Sequence, residues 1–85
     1  MQYHFIYVLK SIKDDFYYTG YTLNLENRLA EHNNGKVKST RHRKPFELVY
    51  FEGSRNQIDA LHREKYLKST YGKRDIRNRI KRDNG

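Results

Sequence analysis

Residues 3–10 read Tyr3-His4-Phe5-Ile6-Tyr7-Val8-Leu9-Lys10. Aromatic and β-branched side chains dominate, and apolarity is nearly continuous, as in a strand covered on both faces. Strand alternation puts Tyr3, Phe5, Tyr7 and Leu9 on one face and His4, Ile6 and Val8 on the other. This segment is therefore the expected central strand of a small sheet. The polar residues 11–15 turn the chain, and Phe16 to Tyr21 returns as the second strand of a hairpin. A helix is expected over 24–34, with Asn24 as N-cap, Leu25 and Leu29 four apart, and Gly35 as its stop. A basic loop over 36–45 leads to a third strand, 46–52. Ser54-Arg55-Asn56-Gln57 has the form of a capping box and opens a helix expected to run to about Thr70. A last short helix is expected from Lys73 to Lys81. The order is β-β-α-β-α-α: an α/β (α+β) fold with a three-stranded antiparallel or mixed sheet flanked by helices.

The 85 residues suffice for one domain, 1–85, with a thin core. There is no cysteine, which excludes disulfides, thiolate zinc sites and a cysteine nucleophile. No apolar run approaches the ~18 residues that span a bilayer. The start, Met1-Gln2-Tyr3-His4-Phe5, lacks the features of a signal peptide. The expectation is a soluble, cytoplasmic protein with no membrane partner. Leu, Ile, Val and Phe together lie just above the ~20% share below which chains tend to disorder, and mean hydropathy is −1.14. Eight Tyr and four Phe decide for a folded domain whose core is built largely from rings.

The charge is strongly positive: 18 Lys and Arg against 10 Asp and Glu, a net +8. Two runs carry most of it. The loop holds Lys36, Lys38, Arg41, Arg43 and Lys44 with no acid, and the C-terminal stretch holds Lys73, Arg74 and Arg77 among six cations and one acid, Asp75. Two such clusters are an electrostatic footprint for nucleic acid; a solvated face is the plainer reading of each.

Glu64 is the anomaly of the second helix. On a wheel it falls inside the arc marked by Ala60, Leu61, Leu67 and Tyr71. A carboxylate there must be paired with a cation, bound to metal or kept neutral. Mg²⁺ is often held by one or two carboxylates, with water and substrate phosphate completing its shell. Arg28 and His32 are neighbours one turn apart on the first helix, placed to meet a phosphate or move a proton. Tyr7 and Tyr18 share the hairpin; a tyrosine hydroxyl can orient water, and serves as a base if the site lowers its pKa.

Taken in order, these segments resemble the GIY-YIG nuclease superfamily, in particular its small single-domain bacterial members. The first motif is matched by Phe5-Ile6-Tyr7 and the second by Tyr18-Thr19-Gly20. Leu25 to Asn33 looks like the Arg-bearing helix, Thr40 and Pro45 to Tyr50 like the loop and strand that follow, and Ala60 to Glu64 like the helix with the metal-binding Glu. The resemblance spans about residues 3–72, with a basic C-terminal segment, 73–85, beyond it. Two positions depart from the pattern: Phe5 replaces the first motif's glycine and Thr19 the second's isoleucine. The resemblance implies a metal-dependent endonuclease acting on DNA ahead of RNA, in repair or recombination. Its catalytic set would be Tyr7, Tyr18, Arg28, His32 and Glu64, with Glu64 holding one Mg²⁺ or Mn²⁺. A non-catalytic nucleic-acid-binding module of the same fold is the alternative.

Overall fold

The computed structural model describes residues 1–82. Strand β1 (His4–Ser11) is the middle of a three-stranded sheet, between β2 (Tyr17–Thr22) and β3 (Phe46–Ser54). Both pairings are antiparallel, which resolves the choice left open by the sequence. Three helices follow in the expected order: α1 (Leu25–Asn33), α2 (Gln57–Leu67) and α3 (Thr70–Arg79).

The double-sided apolarity of β1 is explained by what covers it. Ile6 and Val8 are buried against Ala60 and Leu67 of α2 and Ile76 of α3. Tyr7 and Leu9 point the other way, against Phe46, with Leu25 and Leu29 of α1 beside them. α1 is capped as its sequence indicates, the Asn24 side chain accepting from the Asn27 N–H at 3.0 Å. Gly35 adopts φ 75°, the left-handed geometry that ends a helix and that glycine takes without strain.

The second half of the chain departs from the sequence reading in two respects. α2 is capped by Asn56, which accepts from the Asp59 N–H, and not by Ser54. Ser54 Oγ instead accepts from the Asn56 N–H and sets the turn before the cap. The helix expected to reach Thr70 stops at Leu67, and α3 starts at Thr70, not Lys73. The cause is Ser69, whose side chain accepts from the Gly72 N–H and caps a new helix. Gly72 is buried against the backbone of Tyr66 and Leu67, where a Cβ would collide. Tyr71 thus belongs to α3, and is 72% exposed. The expected basic segment 73–85 ends in three residues, 83–85, that lie outside the described ones.

Candidate active site

The hydroxyl of Tyr7 lies 2.9 Å from His32 Nε2 and accepts from Arg28 Nε at 3.3 Å. Arg28 and His32 reach the same phenol because they are one turn apart on the face of α1 that covers β1. Arg28 is steadied from its other side by Glu31, Nη1 to Oε1 at 3.0 Å. In the sheet register Tyr7 stands opposite Gly20, and a Cβ at Gly20 would run into the Tyr7 ring and hydroxyl. Tyr18 completes the group, its ring 5.1 Å from that of His32 and 6.3 Å from that of Tyr7.

His32 is fully buried, and its Nδ1 lies 2.7 Å from Thr40 Oγ1. The Thr40 hydroxyl faces the Val37 carbonyl at 3.5 Å. Donor and acceptor chemistry orients the chain of bonds. Arg28 can only donate to Tyr7, and the Val37 carbonyl can only accept from Thr40. His32 then donates from Nδ1 to Thr40 and accepts at Nε2 from the Tyr7 hydroxyl; this tautomer is assigned from the network.

The titrations fit that arrangement. Burial pushes the Tyr7 phenol up to about 12, Arg28 pulling the other way and the Tyr18 and Glu64 charges adding to the rise. Burial, with the positive Arg28 beside it, pushes His32 down to about 4. At neutral pH the pair is thus a neutral phenol and a neutral imidazole. A tyrosine serves as a base where the site lowers its pKa; at Tyr7 burial outweighs Arg28 and raises it.

Glu64 sits on α2 one turn before Lys68, whose Nζ lies 3.1 Å from Oε2. The side chains are 20% and 50% exposed, so the pair is open to solvent. Lys68 Nζ also lies 6.0 Å from the centre of the Tyr18 ring. Of the arc read from the wheel, Ala60 and Leu67 are buried while Leu61 is 42% exposed, which leaves Glu64 on the flank of the buried face. Among the described residues no three His, Asp or Glu side chains gather as a metal cage. A half-buried carboxylate with one flexible cation on it suits a single hard ion held largely by water and phosphate, as Mg²⁺ is.

Tyr7 therefore gathers Arg28, His32 and Tyr18 around it, Tyr18 also meets His32, and Glu64 reaches the group through Lys68 and through its field at Tyr7. Thr40, Glu31 and Lys68 are participants that the sequence reading did not place in the site. Of these, Lys68 and Glu31 carried a signal, as i+4 and i+3 partners of Glu64 and Arg28. Among the basic residues, Lys36, Lys38, Arg41, Lys44, Lys73, Arg74 and Arg77 are exposed. Arg43 is engaged in the fold: it pairs with Asp14 and lies over the Phe16 ring at 4.0 Å.

Residues 3–81 match the GIY-YIG catalytic domain. The chain belongs to the GIY-YIG family. Relatives include the UPF0213 protein CPE1444 of Clostridium perfringens, 50% identical over 66 residues, covering 76% of this chain and 70% of that one. The UPF0213 protein SH2523 of Staphylococcus haemolyticus is 45% identical over 67 residues, covering 78% and 80%. The solution NMR structure of the UPF0213 protein BH0048 from Bacillus halodurans superposes with a TM-score of 0.53 at 35% identity, covering 87% of this chain and 81% of that one. GIY-YIG nucleases act on nucleic acid and are generally divalent-metal dependent. No helix among the described residues is long and apolar enough to cross a membrane.

Proposed function

We propose that this GIY-YIG protein is a divalent-metal-dependent endonuclease that hydrolyses phosphodiester bonds in DNA, in the context of repair or recombination. One observation carries the reading: the Tyr7 hydroxyl is shared between a guanidinium and a neutral imidazole, within the field of the partly exposed Glu64 carboxylate. A buried structural tyrosine needs one hydrogen-bond partner; this one has a cation and a proton acceptor at once.

Glu64 would hold one Mg²⁺ or Mn²⁺, exchanging its Lys68 partner for the ion, which when bound would stabilise charge on the scissile phosphate and leaving oxygen. Arg28 contributes positive charge that is fixed before the phosphorane-like transition state forms. Tyr7 orients the attacking water. With its hydroxyl pushed up to about 12, Tyr7 is not ionised beforehand. As the water oxygen bonds to phosphorus, its proton passes to the Tyr7 oxygen while the Tyr7 proton passes to His32 Nε2. The phosphorus–oxygen bond to the leaving strand then breaks, the leaving oxygen takes a proton from solvent water, and His32 returns its proton through Tyr7 to solvent. Thr40 fixes the His32 tautomer that makes Nε2 the acceptor, and Tyr18 walls the phosphate position.

Cleavage of labelled linear, branched and single-stranded DNA, with Mg²⁺, Mn²⁺ or chelator, tests the reading. Metal-dependent internal cleavage of at least one substrate is expected. Binding of all three with no cleavage under any metal would favour the non-catalytic module.

A further inference from the structure

On the sheet face opposite Tyr7, a cleft of about 490 Å³ opens between β2 and the α2–α3 pair. Its floor is apolar, with Val8, Leu67 and Ile76, and its β2 wall is aromatic, with Tyr17 and Tyr18. Its helical wall is cationic, with Lys68, Lys73 and Arg77. The volume lies within the ~300–1,000 Å³ typical of sites for small organic groups. Tyr18 belongs both to this cleft and to the cluster around His32, so the cleft adjoins the candidate active site at the β2 edge. A second, smaller depression lined by Thr70, Lys73, Arg74 and Arg77 shares Lys73 and Arg77 with it.

We propose that this cleft takes one unpaired nucleotide of the strand being cut, its base against Tyr17 and its flanking phosphates on Lys73 and Arg77. The charge pattern carries the argument. Among the described residues Lys73 and Arg77 have no carboxylate partner, whereas nearby Arg63 and Arg79 are both held by Asp75. The carboxylate at the rim, Asp15, is engaged by Lys10 at 3.8 Å. Unpaired cations above an apolar floor and an aromatic wall suit a ligand that is anionic at its edge and flat and apolar at its centre. A nucleotide has that form, and its base is free to stack only when it is out of a duplex. The inference deepens the nuclease reading by naming the substrate class: strands with single-stranded character beside the scissile bond.

The test measures binding separately from cleavage. Affinity for a 12-nucleotide oligothymidine and for a blunt duplex of the same length is measured by fluorescence anisotropy, without metal. Tyr17→Leu should weaken the single strand about tenfold, the scale of one lost stacking contact, and leave the duplex unchanged. Arg77→Ala should lower the steepness of log K against log salt by about 0.7 on the single strand, one phosphate's worth. Thermal unfolding of both variants checks that the fold persists. Equal losses on both ligands in Tyr17→Leu, or no loss on the single strand in either variant, would overturn the proposal. If wild type cleaves nothing while the Tyr17 difference holds, the cleft stands and the nuclease reading fails.

Discussion

The Tyr7 hydroxyl and His32 Nε2 are 2.9 Å apart, and neither side chain is more than 2% exposed. A buried phenol and a buried imidazole that share one proton form a path for that proton as well as a structural bond. Tyr7→Phe keeps the ring and removes the path. The fold should persist with a cost of about 1–3 kcal/mol, because Nε2 is left without a donor. Single-turnover cleavage should fall by about 10²–10⁴, the usual contribution of general acid–base groups. A rate within twofold of wild type would remove Tyr7 from the chemistry.

His32 also makes stability depend on pH. Its pKa is pushed from an ordinary 6.5 down to about 4 in the folded protein. Between those values the unfolded chain binds the proton and the folded one does not. Stability from this group is therefore complete above about 6.5 and declines as pH falls toward about 4. Melting temperature followed from pH 7.5 to 4 should drop across that window, and the drop should be shallower in His32→Gln. Parallel curves for the two proteins would contradict the assignment.

Gly20 is set by the Tyr7 ring rather than by its own backbone. In Gly20→Ala the methyl group meets the ring and hydroxyl of Tyr7, its partner in the sheet register, and the buried ring must shift to admit it. The expected cost is about 1–3 kcal/mol, read by denaturant unfolding, with loss of cleavage beyond what the unfolded fraction explains. Unchanged stability would mean that the phenol can move aside freely.

Arg28→Ala should slow single-turnover cleavage far more than it weakens binding. The exposed cations of the loop and α3 supply ground-state attraction, while Arg28 contacts the reacting centre through Tyr7. A loss of about 3 kcal/mol in the barrier is the scale for one preorganised donor. Weakened binding at an intact rate would reduce Arg28 to part of the basic surface.

Duplex affinity should be steeply salt dependent. With about five phosphates neutralised, log K should fall against log salt with a slope of about −4 to −5. Arg43→Ala should leave that slope unchanged, because this cation is already engaged by Asp14 and Phe16. An affinity indifferent to salt would exclude nucleic acid as the partner.

The fold was legible wherever a local pattern was strong. The near-continuous apolarity of residues 3–10 is the mark of a strand covered twice, and β1 is covered twice. The i, i+4 spacing of Arg28 and His32 announced a shared target, though not that it was Tyr7. The break after Leu67 carried one local signal, the Ser69 cap, but Gly72 acts through a close approach of two helices, which a wheel drawn for one helix does not contain. Thr40 escaped notice as a partner of His32 because the loop that brings it there has no periodicity to read. The rise in the Tyr7 pKa depends on burial from α1 and β3 together, a tertiary effect that residue types do not encode.

The account rests most directly on Glu64, and one variant tests it. Glu64→Gln keeps shape and volume but removes the charge that would hold a divalent ion. Its Lys68 partner is half-exposed, so losing the pair should cost no more than about 1 kcal/mol. Metal-dependent cleavage and thermal unfolding are measured on the same preparation. The account predicts a melting temperature within a few degrees of wild type, retained DNA binding and cleavage reduced to background. Cleavage at the wild-type rate in the presence of Mg²⁺ would contradict it.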